Sequence, residues 1–184
     1  MPAGTTAPTL DDATPNPAGG PCGRPDASTL ATAAGRTASV FKVFFAPGSA
    51  GNNYDEASYS EEIVAFPSTR AAKHYVAKLR SEVVGCKVAY AAPNSVDGAS
   101  TTVKLVATPK RGDESFAADA VTTSNGPATP TKSEGITVRV GNHVLNLGVT
   151  TGEATFAQMP VSLTLLTRKA VTQLDNAIKH SKSS

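Results

Sequence analysis

Three histidines, two cysteines and one adjacent pair of glutamates are the side chains through which this 184-residue chain could do acid-base, metal or nucleophilic chemistry. Their spacing argues against each. His74 falls on the polar flank of a helical stretch, His143 beside a turn and His180 near the C-terminus, and none belongs to an H-E-x-x-H motif. No G-x-S-x-G, phosphate-cradling loop or dinucleotide fingerprint occurs. Glu61 and Glu62 are neighbours on a strand, so they point to opposite faces and cannot act as a carboxylate pair. No catalytic residue, cofactor or metal is assigned, and the chain is expected not to be an enzyme.

Binding chemistry is better represented. Tyr54 and Tyr59 flank a Gly- and Asn-rich loop, and loops on a rigid sheet commonly carry binding. With Arg139 they are the expected ligand contacts; packing roles for the tyrosines are the alternative. Arg111, Gly112 and Asp113 spell a triplet read by some cell-surface receptors, but Gly-Asp is also good turn chemistry, and the turn reading is preferred. Arg70, Lys73, Lys78 and Arg80 line one helix flank, where a solvated face is a simpler reading than a surface for anionic lipids or wall polymers.

The cysteines, Cys22 and Cys86, form no C-x-x-C and have no His cluster, which excludes the common zinc spacings. They are either two unrelated buried thiols or a disulfide tying the start of the chain to the end of the main helix, and the disulfide is favoured. A net charge of +2 and the lack of Lys/Arg runs interleaved with aromatics set nucleic acid aside. No apolar run is long enough to span a membrane. Residues 1–27 are rich in Pro, Thr, Ala and Gly and read as a flexible tail before a single domain at 28–184. Such tails often follow the anchor of exported lipoproteins, so an export signal with a lipidated cysteine is expected ahead of Met1.

The elements that must position these residues follow from periodicity. Thr37 to Ala46 and Ala57 to Phe66 alternate as strands, as do Thr101 to Thr108 and Ser115 to Thr122; residues 87–92 are a short further candidate. Between them, Ser68 is a good helix N-cap, and Ala72, Tyr75, Val76, Leu79 and Val83 recur at helical spacing. Gly85 is expected to end that helix with a positive φ. Gly141-Asn142 suits a type II′ turn, pairing Val140 with His143, Val138 with Leu145 and Ile136 with Leu147. That register puts these apolar residues on one face and Thr137, Arg139, Val144 and Asn146 on the other. From about Ser162, a stripe of Leu163, Leu166, Ala170, Leu174, Ala177 and Ile178 predicts a closing helix. The class is therefore α+β: a mostly antiparallel twisted β-sheet with two main helices packed on one face.

The stretch FPSTRAAKHYVAKLRSEVVGC resembles the helix-then-cysteine signature of actinobacterial sensor domains typified by the extracellular domain of a mycobacterial receptor kinase, the PknH-like family. GNHVLNLGV is similar to that family's late strand and AVTQLDNAIKH to its closing helix. The family's tryptophan before the cysteine is replaced by Val83-Val84, and its further cysteines are missing. The resemblance implies a secreted or lipid-anchored, extracytoplasmic, non-catalytic sensor-like domain with a cleft for an unidentified extracellular small molecule or envelope component. It supplies no catalytic residue. A monomer is expected, with membrane contact only through an anchor. The alternative is an envelope interaction or structural module using an exposed apolar patch at Val40, Phe44 and Val64.

Overall fold

The computed structural model describes residues 27–45, 58–86, 90–91, 100–123, 130–152 and 163–181. Three helices are found among them: α1 (Ala27–Ala33), α2 (Thr69–Gly85) and α3 (Leu163–Ser181). The strands are β1 (Ala38–Phe45), β2 (Ser58–Ala65), β3 (Tyr90–Ala91), β4 (Ser100–Val106), β5 (Glu114–Thr123), β6 (Thr131–Val140) and β7 (His143–Gly152). They form one seven-stranded sheet in the order β1-β2-β7-β6-β5-β4-β3. Every neighbouring pair is antiparallel. Strands β3 to β7 run as a meander, and the β1–β2 pair adds to its β7 edge. This is an α+β fold.

The β6–β7 hairpin takes the expected register, with Val140 opposite His143, Val138 opposite Leu145 and Ile136 opposite Leu147. Gly141 has φ +60°, the left-handed value that such a turn requires at its first position. Asn142 then fixes the turn to the rest of the sheet. Its side-chain amide donates to the Phe66 carbonyl (2.7 Å), while the Phe66 N–H donates to the Asn142 carbonyl (3.0 Å).

Helix α2 starts where Ser68 accepts a hydrogen bond from the Ala71 N–H at 3.2 Å, satisfying a donor that the first turn leaves orphaned. Ala72, Tyr75, Val76 and Val83 are buried along one stripe, joined by Glu82, which pairs with Lys78 one turn earlier (3.2 Å). The end of the helix differs from the expectation. Gly85 is not among the glycines with positive φ; Cys86 caps instead, at φ −85°, with its N–H bonded to the Val83 carbonyl at 3.1 Å. Closing the last turn through a three-residue bond removes the need for a left-handed residue.

Strand alternation corrects the expected placement of the helices on one face. Phe116, Val144, Val64 and Val103 pack with α1 and α2, through Leu30, Ala31, Ala72, Tyr75, Val76 and Val83. Their strand neighbours Ala117, Leu145 and Ile63, with Ile136, Val138, Leu147 and Val149, pack with Leu163, Leu174 and the partly buried Leu166, Ala170, Val171 and Ile178 of α3. Adjacent strand residues point oppositely, so α3 lies on the face opposite α1 and α2. A sheet apolar on both sides needs cover on both sides, and one face could not serve both helices. Ala177, counted in the α3 stripe, is exposed. The proposed Val40, Phe44, Val64 patch does not form, because Val64 is fully buried under α2 while Val40 stands 44% exposed on the other face.

Candidate functional site

The face beneath α2 is only partly apolar. Val64, Val144, Phe116 and Val103 hold the helix, but the residues beside them on the central strands are small or polar: Ser60 and Glu62 of β2, Asn146, Gly148 and Thr150 of β7, and Ser133, Gly135 and Thr137 of β6. The pairing Thr137↔Asn146 and Asn146↔Glu62 lines three of these side chains up in one row across three strands.

That row is hydrogen-bonded from end to end. Thr137 Oγ1 donates to Asn146 Oδ1 at 3.0 Å. The Asn146 amide donates in turn to Glu62 Oε2 at 2.8 Å and to the Tyr75 hydroxyl at 3.2 Å. Tyr75 is 1% exposed and its ring sits 5.1 Å from that of Phe66, centroid to centroid. The phenol therefore reaches down from α2 as a fixed hydrogen-bonding post. Such a network orients Glu62 and Asn146 without consuming all of Glu62's acceptor capacity.

Beyond the row the floor flattens. Ser60, Ser133, Gly135, Gly148 and Thr150 are only partly buried although they lie on central strands. Ser133 and Thr150 share a hydrogen bond at 2.9 Å, and a Cβ on Gly148 would come within 2.7 Å of Ser60 Oγ. A Cβ on Gly135 would meet only the Leu147 carbonyl, at 3.7 Å, so the space above it is open among the described residues. The result is a shallow trough with a floor of small hydroxyls and backbone, bordered at one end by Glu62, Asn146 and Tyr75.

The residues expected from the sequence fall differently. Tyr54 lies outside the described residues. Tyr59 is buried on the α3 face, where burial raises its phenol pKa. Arg139 sits on the α2 face in register with Thr137, so Tyr59 and Arg139 do not line one pocket. Arg139 is 8% exposed and makes three hydrogen bonds: its Nε donates to Glu114 Oε1 at 2.6 Å, and its Nη1 to Asp113 Oδ2 at 2.8 Å and the Gly141 carbonyl at 3.0 Å. It is a clamp between the β6–β7 turn and the start of β5. The same Asp113 oxygen accepts the Gly141 N–H at 2.8 Å, which makes the Arg-Gly-Asp triplet a structural turn. Gly112 there has φ +55°, and a Cβ would lie 2.4 Å from the Arg139 carbonyl, so only glycine fits.

The histidines stay apart: His74 and His180 are exposed on α2 and α3, and His143 belongs to β7. Burial lowers the pKa of His143, whose Nδ1 has no hydrogen-bond partner among the described residues. On the α3 face burial, then Asp119, raises the pKa of Glu134, with Lys132 opposing. No group of His, Cys, Asp and Glu able to hold a metal occurs among the described residues. Cys86 is 2% exposed at the end of α2 and no described cysteine is free, while Cys22 lies outside the described residues. The sequence signal for the trough was present in the expected face Thr137, Arg139, Val144, Asn146. Missing from it was the partner strand β2, which brings Glu62 to Asn146.

The chain is an α+β domain whose antiparallel sheet carries helices on both faces. The chain is similar to the extracellular domain of PknH from Mycobacterium tuberculosis, a solved structure, at 13% identity and a TM-score of 0.61, covering 93% of this chain and 82% of that one. At that identity the likeness is one of fold. No protein-family model matches the chain, and no curated protein does. Among the described residues no helix is long and apolar enough to cross a membrane.

Proposed function

We propose that this chain is an extracytoplasmic, sensor-like ligand-binding domain that performs no catalysis, takes no cofactor and acts as a monomer, with no membrane contact other than through a lipid anchor. The observation that carries the reading is the Thr137–Asn146–Glu62 row, held by Tyr75 and opening onto a floor of Ser, Thr and Gly in mid-sheet. An antiparallel sheet commonly leaves part of a face to solvent; what distinguishes this part is a row of polar side chains fixed by the buried Tyr75 beside the open space above Gly135, and convergent polar groups held by a second layer of hydrogen bonds are features of a binding site. The fold likeness to an extracellular domain supports the compartment. A Cys22–Cys86 disulfide, as an oxidising compartment allows, is part of the same proposal. Glu62 makes the trough suit a small neutral or cationic envelope molecule rich in hydrogen-bond donors.

The test is a thermal-shift screen of the oxidised protein against small envelope metabolites and wall fragments, since binding to the native state raises the melting temperature by mass action. Gly135→Val is the discriminating variant. It places a branched side chain into the open trough at a strand position with no steric conflict at Cβ. A ligand that stabilises the parent and not Gly135→Val locates the site there; an equal shift in both removes the trough from consideration.

A second reading, an interaction module of the envelope, is favoured by one feature. A groove of about 580 Å³ between the C-terminal half of α2 and the start of β5 is lined by Val76, Ala77, Val84 and Phe116, with Val84 49% exposed. If no ligand in the screen shifts the parent protein, Val84→Asp in pull-downs from envelope extracts tests that surface: loss of one specific partner supports it.

A further inference from the structure

On the opposite side of the molecule from the trough, two arginines line one small pocket. Arg111, from the link between β4 and β5, and Arg168, from α3, line a cavity of about 170 Å³ together with Thr164 and Leu165 of the first turn of α3. Neither arginine has an ion-pair partner among the described residues. The two carboxylates that follow Arg111 in sequence, Asp113 and Glu114, are both bonded to Arg139. The backbone of Arg111 is fixed besides, its N–H donating to Ser115 Oγ at 3.0 Å.

The helix makes the local charge more positive still. Helix α3 has 19 residues and no acidic side chain in its first turn, so no carboxylate there offsets the partial positive charge of its N-terminus. Two like charges and a helix end of the same sign converge on one cavity with nothing negative among the described residues. An anion seated between them would offset their mutual repulsion.

The geometry points to an anion subsite at Arg111, Arg168 and Thr164, for a phosphate group carried as a free ion or a monoester. A cavity of about 170 Å³ is below the roughly 300 Å³ at which organic-ligand pockets begin, and a single tetrahedral oxyanion suits it. Planar guanidiniums offer paired N–H donors matched to phosphate oxygens, and the Thr164 hydroxyl supplies a third donor type. The subsite does not depend on the trough: it lies under the other face and recognises the opposite charge.

The probes are inorganic phosphate, titrated against the intact protein at constant ionic strength with chloride as the balancing ion, and vesicles containing phosphatidic acid in a neutral lipid. Backbone amide shifts confined to residues near Arg111 and the first turn of α3, saturating with phosphate and not with chloride, are the expected result. Arg111→Ala and Arg168→Ala should each weaken phosphate binding by about tenfold or more, as expected for loss of a charge-assisted hydrogen bond. Arg80→Ala, which removes the same net charge from α2, should leave it unchanged. Saturation with free phosphate alone assigns a soluble source; co-sedimentation with acidic vesicles that both variants abolish assigns a lipid headgroup. Shifts that chloride reproduces, or that survive unchanged in both variants, overturn the subsite. The two variants remove solvent-facing side chains, and an unchanged melting temperature without phosphate confirms that they fold.

Discussion

Strand β7 presents Leu145, Leu147 and Val149 to α3, and Val144, Asn146, Gly148 and Thr150 to the side where α2 lies. On the first face the three central positions, between His143 and Thr151, are large aliphatics, and α3 covers them with Leu163, Leu166 and Leu174. On the second, Val144 alone supports α2, while the next positions hold a hydrogen bond, a bare backbone and a hydroxyl. One strand thus supplies stability with its odd residues and a polar surface with its even ones. The lesson is that a two-faced sheet can divide these tasks without a separate loop or domain, because the period of two decouples neighbouring residues.

The division can be broken in several ways. The largest effect is expected on the α2 side, where packing is thinner and a covalent tie would compensate. If Cys22 and Cys86 are bridged, Cys86→Ser or reduction should cost about 4 kcal/mol by the chain-entropy argument, read from urea unfolding with and without reductant. No change on reduction would remove the tie.

Replacing Leu145, which is fully buried under α3, with alanine should cost about 3 kcal/mol, whereas Thr150→Ala across the same strand should cost less than about 1 kcal/mol. Equal losses in chemical denaturation would erase the contrast between faces. Arg139→Ala should cost about 2–3 kcal/mol. It strands two carboxylates, but these are partly exposed, with 51% and 33% of their side chains accessible, so the penalty falls short of that for a fully buried pair. Arg139→Lys should recover part of it and lose the second carboxylate contact.

Tyr75→Phe keeps the ring against Phe66 and removes only the hydroxyl facing Asn146, for a loss of about 1 kcal/mol. Its effect on ligand affinity should exceed its effect on stability. The smallest effect is the pH response of His143. Burial holds its folded pKa below the ordinary 6.5, so the unfolded chain binds more protons in that window. Its contribution is intact above 6.5 and fades as pH falls toward the folded value. Denaturation midpoints at pH 7.5 and about 5.5 should converge slightly in His143→Gln, and an unchanged difference would show that another group titrates.

Local chemistry made much of the fold legible. The β6–β7 register follows from one Gly-Asn turn and the requirement that its apolar residues share a face. Helix α2 follows from Ser68 and a stripe at helical spacing. What failed had causes outside any short window. Helix α1 buries only Leu30 and Ala31, too few to leave a periodic signal, so no helix is expected where the domain begins. Glu82 is not part of the apolar stripe that spacing reveals, yet it is 6% exposed with Lys78 beside it. Arg139 was placed on the correct face, but its role depended on Asp113 and Glu114 reaching it from β5.

Taken alone, the amino-acid order determined the elements, the hairpin register and the α+β class, because caps, turns and periodicity act over a few residues. Only the tertiary structure decided that α3 lies opposite α2, that Glu62 of β2 meets Asn146 of β7, and that Arg111 meets Arg168. Those outcomes depend on which strand pairs with which across long separations, and loop-closure entropy and face burial settle that together rather than any local preference.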